Sequence, residues 1–338
     1  MQLGLKVDVD TFVGTRDGVP RLLATFADLG VRATFFVCVG PDNSGKAIRR
    51  VFRRGFMTKM RNSSALKLYG VRTMLSGTLL PAPHIGTQLR DTLRAIADAG
   101  HEVGLHAYDH VRWHDCLPGM AAPEVSAELL LGTEAFRAVF ERDPRCAAAP
   151  GWTCTATSLQ AQDDLELEYQ SDCRGHGPFL PRADGYTAAT PQLPTTLPTM
   201  DELLGTGLSV AESADHLTRA ELAPDYNVFT LHAEVEGRYC PDAFSELLAA
   251  WRARGVLFCA LGELAEAAAG GGLALPTCPL TNGTLPGRAG TVAMQGETVA
   301  GEPGGDARRG VRRSATPPGT GARLGPGSAR RQGFPQGP

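Results

Sequence analysis

Six short β-rich runs, Leu3 to Val9, Thr34 to Val39, Glu102 to His106, Leu167 to Ser171, Val228 to His232 and Val256 to Cys259, alternate with stretches of helical periodicity. Val19, Leu22, Leu23, Phe26 and Leu29 form one apolar stripe, closed by Gly30. Leu89, Leu93, Ile96 and Ala97 form another before Gly100, and Glu128 to Phe140 and Phe244 to Trp251 add two more. Strands joined through helices make a parallel sheet, open or closed into a barrel. A single α/β domain is expected over residues 1–268. Several runs end in polar clusters, and the C-terminal ends of parallel strands are where such sheets carry their active sites.

The first run ends in Asp8-Val9-Asp10. Side chains alternate along a strand, so both carboxylates face one side and can converge. The third run ends in His106, with His110 four residues on. On one helical turn that spacing puts both imidazoles on one face, able to share a metal. Two imidazoles and a carboxylate, with water in the open positions, make a hydrolytic metal site. A second carboxylate beside it would activate the water. The donor set suits one divalent ion: zinc, manganese, cobalt or iron. His101 and Glu102 read as supports of the turn. His232 closes the run Phe229-Thr230-Leu231 and is a candidate third ligand or general acid. Asp172 is a candidate to orient a catalytic partner or to hold Arg174. A structural hydrogen bond is the plainer role for each.

The net charge of −3 offers no general attraction for nucleic acid, and none is expected as a partner. The first residues run into the first β run without a leader pattern, and no apolar stretch has bilayer-spanning length. The chain is therefore expected on the cytoplasmic side of any membrane it meets. None of the eight cysteines forms a Cys-x-x-Cys pair, and buried reduced thiols are expected.

Two segments break the α/β pattern. Asn43 to Arg90 is basic and holds no Asp or Glu. Inside it, in an insertion at about 44–82, Ile48, Val51, Phe52, Phe56 and Met60 fall on one helical face flanked by Arg49, Arg50, Arg53 and Arg54. A cationic amphipathic helix is the signature of a segment attracted to anionic lipid; the alternative is a solvated basic face. Residues 269–338 are rich in Gly, Pro and Arg and poor in apolar surface, so a disordered tail is expected.

The ordered set Asp8-x-Asp10, His106-x-x-x-His110, Pro150-Gly151-Trp152, Ser171-Asp172-Cys173-Arg174-Gly175 and Leu231-His232 resembles the polysaccharide deacetylase superfamily (NodB homology, carbohydrate esterase family 4). Longer strings narrow the likeness. Val7 to Leu23, Val39-Gly40-Pro41-Asp42-Asn43, Leu197-Pro198-Thr199 and His232-Ala233-Glu234-Val235-Glu236-Gly237 are similar to its branch of 4-deoxy-4-formamido-L-arabinose-phosphoundecaprenol deformylases. The resemblance spans residues 1–268 and implies a distorted (β/α) barrel of the NodB-homology type with one divalent metal. It implies hydrolysis of the formamide on an undecaprenyl-phosphate-linked aminosugar, for lipid A modification and resistance to cationic antimicrobial peptides. Such a substrate is met at the anionic inner-membrane surface from the cytoplasmic side. That gives the basic segment, above all Arg49, Arg50, Phe52, Arg53 and Phe56, a reason to touch lipid.

Carried over by position, the resemblance makes Asp8 the general base, Asp10, His106 and His110 the metal ligands, and His232 the general acid. Asp172 and Glu234 would support the site or the substrate, and Trp152 would wall the sugar pocket. One departure matters. Many superfamily members have an arginine two residues before the proline of the third motif, where this chain has Ala148. Arg174 or Arg16 would replace it in orienting Asp8, or would bind the substrate phosphate. Two rival readings share these residues: deacetylation of a soluble glycan, and non-catalytic binding of a lipid-linked sugar. The basic segment speaks against the first. The complete set Asp8, Asp10, His106, His110 and His232 speaks against the second.

Overall fold

A central strand of a parallel sheet is covered on both faces, so its alternation of apolar and polar residues disappears. The computed structural model describes residues 1–47, 73, 75–270 and 274–298, and in it β1 (Gln2–Val9) is buried from Leu3 onward. Only Lys6 and Asp8 bring charge into that strand. The sheet runs β5 (Tyr169–Gln170), β4 (Cys146–Ala147), β3 (Glu102–Ala107), β2 (Thr34–Cys38), β1, β8 (Val228–His232), and β9 (Leu257–Cys259) also pairs with β1. Every pairing in it is parallel.

Helices cover the strands as the periodicity predicts. The helix Val19–Leu29 has Pro20 in its first turn and buries Val19, Leu22 and Phe26. Gly30 stops it at φ +57°, in left-handed backbone. Phe136 of Ala122–Phe140 and Phe244, Leu247 and Trp251 of Pro241–Ala253 join the same core.

No strand pairing joins β5 to β8 among the described residues. An irregular segment bridges that gap instead. Leu193 N donates to Gln170 O at 2.7 Å, and Leu197 N donates to Val228 O at 3.2 Å. The barrel is distorted because its last stave is extended chain rather than a regular strand.

Register decides which side chains meet. Across β1 and β8, Asp8 pairs with His232; across β2 and β3, Cys38 pairs with Ala107. The C-terminal ends of β1, β3 and β8 therefore share one rim.

The tail expectation needs correction. β10 (Thr277–Gly283) pairs in parallel with β6 (Leu180–Ala183) and antiparallel with β11 (Val292–Gln295), and β7 (Tyr186–Thr187) completes a second sheet. Cys278 and Ala293 are buried in a small cluster with Cys154, Leu159, Cys173 and Phe179. A segment too poor in apolar residues to fold alone is ordered here by docking on a preformed edge. The globular part thus extends through residue 298, and residues 299–338 lie outside the described residues.

Arg49, Arg50, Phe52, Arg53 and Phe56 also lie outside the described residues. Among the described residues, no helix is long and apolar enough to cross a membrane. The cysteines are free, and all are buried except Cys116, which is exposed at the end of the helix His110–Cys116.

Candidate metal centre and active site

Asp10 directly follows β1, His106 lies in β3, and His110 opens the helix His110–Cys116. Asp109 caps that helix, its side chain accepting from Arg112 N at 3.0 Å, and Asn43 Nδ2 donates to it at 2.6 Å. The histidine pair therefore straddles a strand end and a helix start, not the single helical turn expected from its spacing. The cap turns the chain so that His110 comes back beside His106.

The donor geometry is tight. His106 Nε2 is 3.2 Å from Asp10 Oδ1, His110 Nε2 is 3.4 Å from Oδ2, and one donor atom from each residue lies within 4.8 Å of the others. His106 Nδ1 is 2.8 Å from Ala148 O. A carbonyl only accepts, so Nδ1 carries the proton and Nε2 presents its lone pair to the centre. Asp10 Oδ1 is buried without a hydrogen-bond partner. An unpartnered buried carboxylate oxygen beside two imidazoles fits a divalent cation. Burial opposes charge on Asp10, but His110 and His106 outweigh it and hold the carboxyl well below the usual range.

Asp8 is buried, with Oδ1 unpartnered. The cation beside it is one that sequence reasoning missed. Lys6 Nζ lies 3.5 Å from Asp8 Oδ2, donates to Ser171 O at 2.9 Å, and sits over the rings of Trp152 and Phe36 at 5.5 and 5.6 Å. Lys6, Asp8 and Asp10 share one face at strand period, which was the available signal.

Both arginine candidates are committed elsewhere. Arg16 is exposed and paired with Asp17 at 2.6 Å. Arg174 is buried against Glu202 at 2.9 and 3.0 Å and donates to Leu197 O at 2.8 Å. Neither is seen to orient Asp8, and Arg174 is closed to a phosphate by Glu202. Glu202, not Asp172, therefore holds Arg174, and the Asp172 carboxylate accepts from Gln192 Nε2 at 3.0 Å.

His232 Nδ1 faces Asp201 Oδ1 at 3.3 Å, off-line for a hydrogen bond but close enough for strong charge attraction. Burial opposes charge on His232, yet Asp201 outweighs it and holds the imidazole well above its ordinary range. Asp201 was missed in the sequence. It sits in the first turn of the helix Met200–Gly205, capped by Thr199 of the Leu-Pro-Thr string, and Thr199 Oγ1 donates to Asp201 Oδ1 at 2.6 Å.

Glu234 ties strand exits together. One oxygen accepts from Thr11 N at 2.8 Å, Thr11 Oγ1 at 2.7 Å and Asp10 N at 3.2 Å. Burial, then the charge of Asp10, pushes its carboxyl up to about 7. Glu236 accepts from His232 N at 2.8 Å and is pushed up by burial to about 8. Trp152 is 2% exposed, and Arg174, Arg288 and Lys6 pack on its ring at 4.9, 4.7 and 5.5 Å. A ring covered by three cations is no open wall for a sugar, so that expectation is also corrected.

The polysaccharide deacetylase family pattern matches residues 7–170. The chain is 40% identical over 271 residues to the probable 4-deoxy-4-formamido-L-arabinose-phosphoundecaprenol deformylase ArnD of Shewanella sediminis, covering 78% of this chain and 86% of that one. It is 29% identical to the protein of the same name from Wigglesworthia glossinidia brevipalpis, over 85% of this chain and all of the relative (100%). A crystal structure described as a polysaccharide deacetylase from Mycobacterium smegmatis superposes with TM-score 0.59 at 21% identity, covering 84% of this chain and 94% of that one, and shares the fold. The docked donors, the family pattern and the length of the shared sequence agree, and the chain belongs to the polysaccharide deacetylase superfamily, in its family of 4-deoxy-4-formamido-L-arabinose-phosphoundecaprenol deformylases.

Proposed function

We propose that this chain hydrolyses the formamide of 4-deoxy-4-formamido-L-arabinose carried on undecaprenyl phosphate, releasing formate and the free 4-amino sugar. The observation that carries the reading is one rim holding a carboxylate base, three convergent donors and a charged imidazole. Asp10, His106 and His110 would hold a divalent cation, whether zinc, manganese, cobalt or iron, which would supply Lewis acidity for the hydrolysis. Asp8 takes a proton from the attacking water as its oxygen bonds to the formyl carbon. Lys6 holds that carboxylate in place from two residues back on the same strand. His232, kept protonated by Asp201, gives its proton to the nitrogen as the C–N bond breaks, so the amine leaves neutral.

The lipid carrier puts this work at the membrane surface, with the enzyme peripheral on the cytoplasmic face of the inner membrane. The lipid-linked formamide and its acetamide analogue test the substrate class. Formate release with little acetate release supports the reading, and preference for acetamide returns the chain to the wider deacetylases.

The acid assignment has its own test. Asp201→Asn removes the charge that raises His232, so the alkaline limb of the pH–rate profile moves to lower pH and kcat at neutral pH drops about tenfold or more. An unmoved limb would remove Asp201 from the mechanism.

A further inference from the structure

We infer that Arg288, delivered by the C-terminal hairpin, is the residue that binds the phosphodiester of the substrate; this rests on the lipid-linked reading above. Arg288 lies between β10 and β11, outside the stretch matched by the family pattern. Its loop is seated firmly. Gly287 adopts φ +77°, and a side chain there would collide with the Glu202 carbonyl, in the helix that carries Asp201. On the other flank, Arg174 N donates to Ala293 O at 2.9 Å, and Gln295 N donates to Arg174 O at 2.8 Å.

The guanidinium then reaches the site. It lies 4.7 Å over the Trp152 ring, and its Nη2 is 2.9 Å from where a Cβ on Gly151 would sit. His114 crowds the same Gly151 and stacks on His110 with ring centroids 6.4 Å apart. The charge of Arg288 is also felt by Asp201, the partner of His232. Arg288 thus shares Gly151 with His114, the ring stacked on His110, and acts by charge on the partner of the general acid.

Three cations pack on Trp152, and two are neutralised: Lys6 by Asp8, Arg174 by Glu202. Among the described residues, no carboxylate lies within ion-pair distance of Arg288, and it is half-buried rather than fully solvated. A guanidinium stacked by its face leaves its N–H edge for a planar or tetrahedral anion, which an ammonium does less well. A sugar whose anomeric carbon bears a phosphodiester, with the amide at the other end of the ring, supplies that anion. This also assigns the hairpin a function: it adds phosphate recognition to a deacetylase barrel.

The test uses the full chain and Arg288→Gln, which keeps polar packing on Trp152, with Arg288→Lys as the conservative variant. Formate release is measured on the lipid-linked formamide and on its uncharged methyl glycoside. For Arg288→Gln the ratio of kcat/KM on diester to that on glycoside falls at least about tenfold, through KM, and Arg288→Lys recovers part of it. In parallel, calorimetry follows binding of a short, lipid-free phosphodiester of the 4-amino sugar, and the glutamine variant binds it about tenfold more weakly. An unchanged ratio with unchanged diester binding would overturn the assignment while leaving the deformylase reading intact. Wild-type protein that binds the diester but releases no formate would instead overturn the reaction and leave Arg288 as an anion site. Equal loss on both substrates marks Arg288 as structural and rejects the inference.

Discussion

Asp8→Asn lowers kcat for formate release by about a thousandfold, with bound metal retained and KM little changed. The substitution is nearly isosteric, so the packing around a buried side chain on β1 survives. What disappears is the capacity to accept a proton at an oxygen that has no hydrogen-bond partner and lies at the register position of His232. The three cation donors belong to other residues, so their affinity is left nearly intact. Single-turnover formate release with metal analysis of the same sample checks this. Turnover within tenfold of wild type would take the base role away from Asp8.

Lys6→Met has the next largest expected effect, about a hundredfold in kcat. Methionine matches the lysine stem in length and keeps the contacts with Phe36 and Trp152 largely apolar. It leaves the Asp8 carboxylate buried without its cation, which costs stability by about 3 kcal/mol. Lys6→Arg restores most of the activity because the charge returns. Full kcat in Lys6→Met would show that Asp8 is held by something else.

Much of the site was legible because parallel strands bury both faces, so any carboxylate or histidine in an apolar run stands out. Asp8, Asp10, His106 and His232 were found that way. Lys6 obeys the same logic, but a cation inside an apolar strand has no meaning until its neighbour across the barrel is known. Here that neighbour is Ser171 O, supplied by a chain segment far away in sequence. Asp201 was hidden for a similar reason. It stands in the first turn of a short helix, where an acidic residue is ordinary, and only the helix's position against β8 brings it to His232. The hairpin β10–β11 was misread because order was judged from its own composition, while its stability comes from β6 and the backbone of Arg174. The spacing of His106 and His110 pointed to the right pair through the wrong element, since a strand followed by a capped helix can deliver the same juxtaposition as one helical turn.

The central claim is that hydrolysis at this rim depends on a cation held by Asp10, His106 and His110. Formate release from the undecaprenyl-phosphate-linked formamide should be measured on chelator-stripped protein titrated with a divalent ion. Activity is predicted to vanish on stripping and to return to a plateau at one ion per chain, with no recovery in Asp10→Ala or His106→Ala. Full turnover by metal-free protein, or by either variant, would contradict the account.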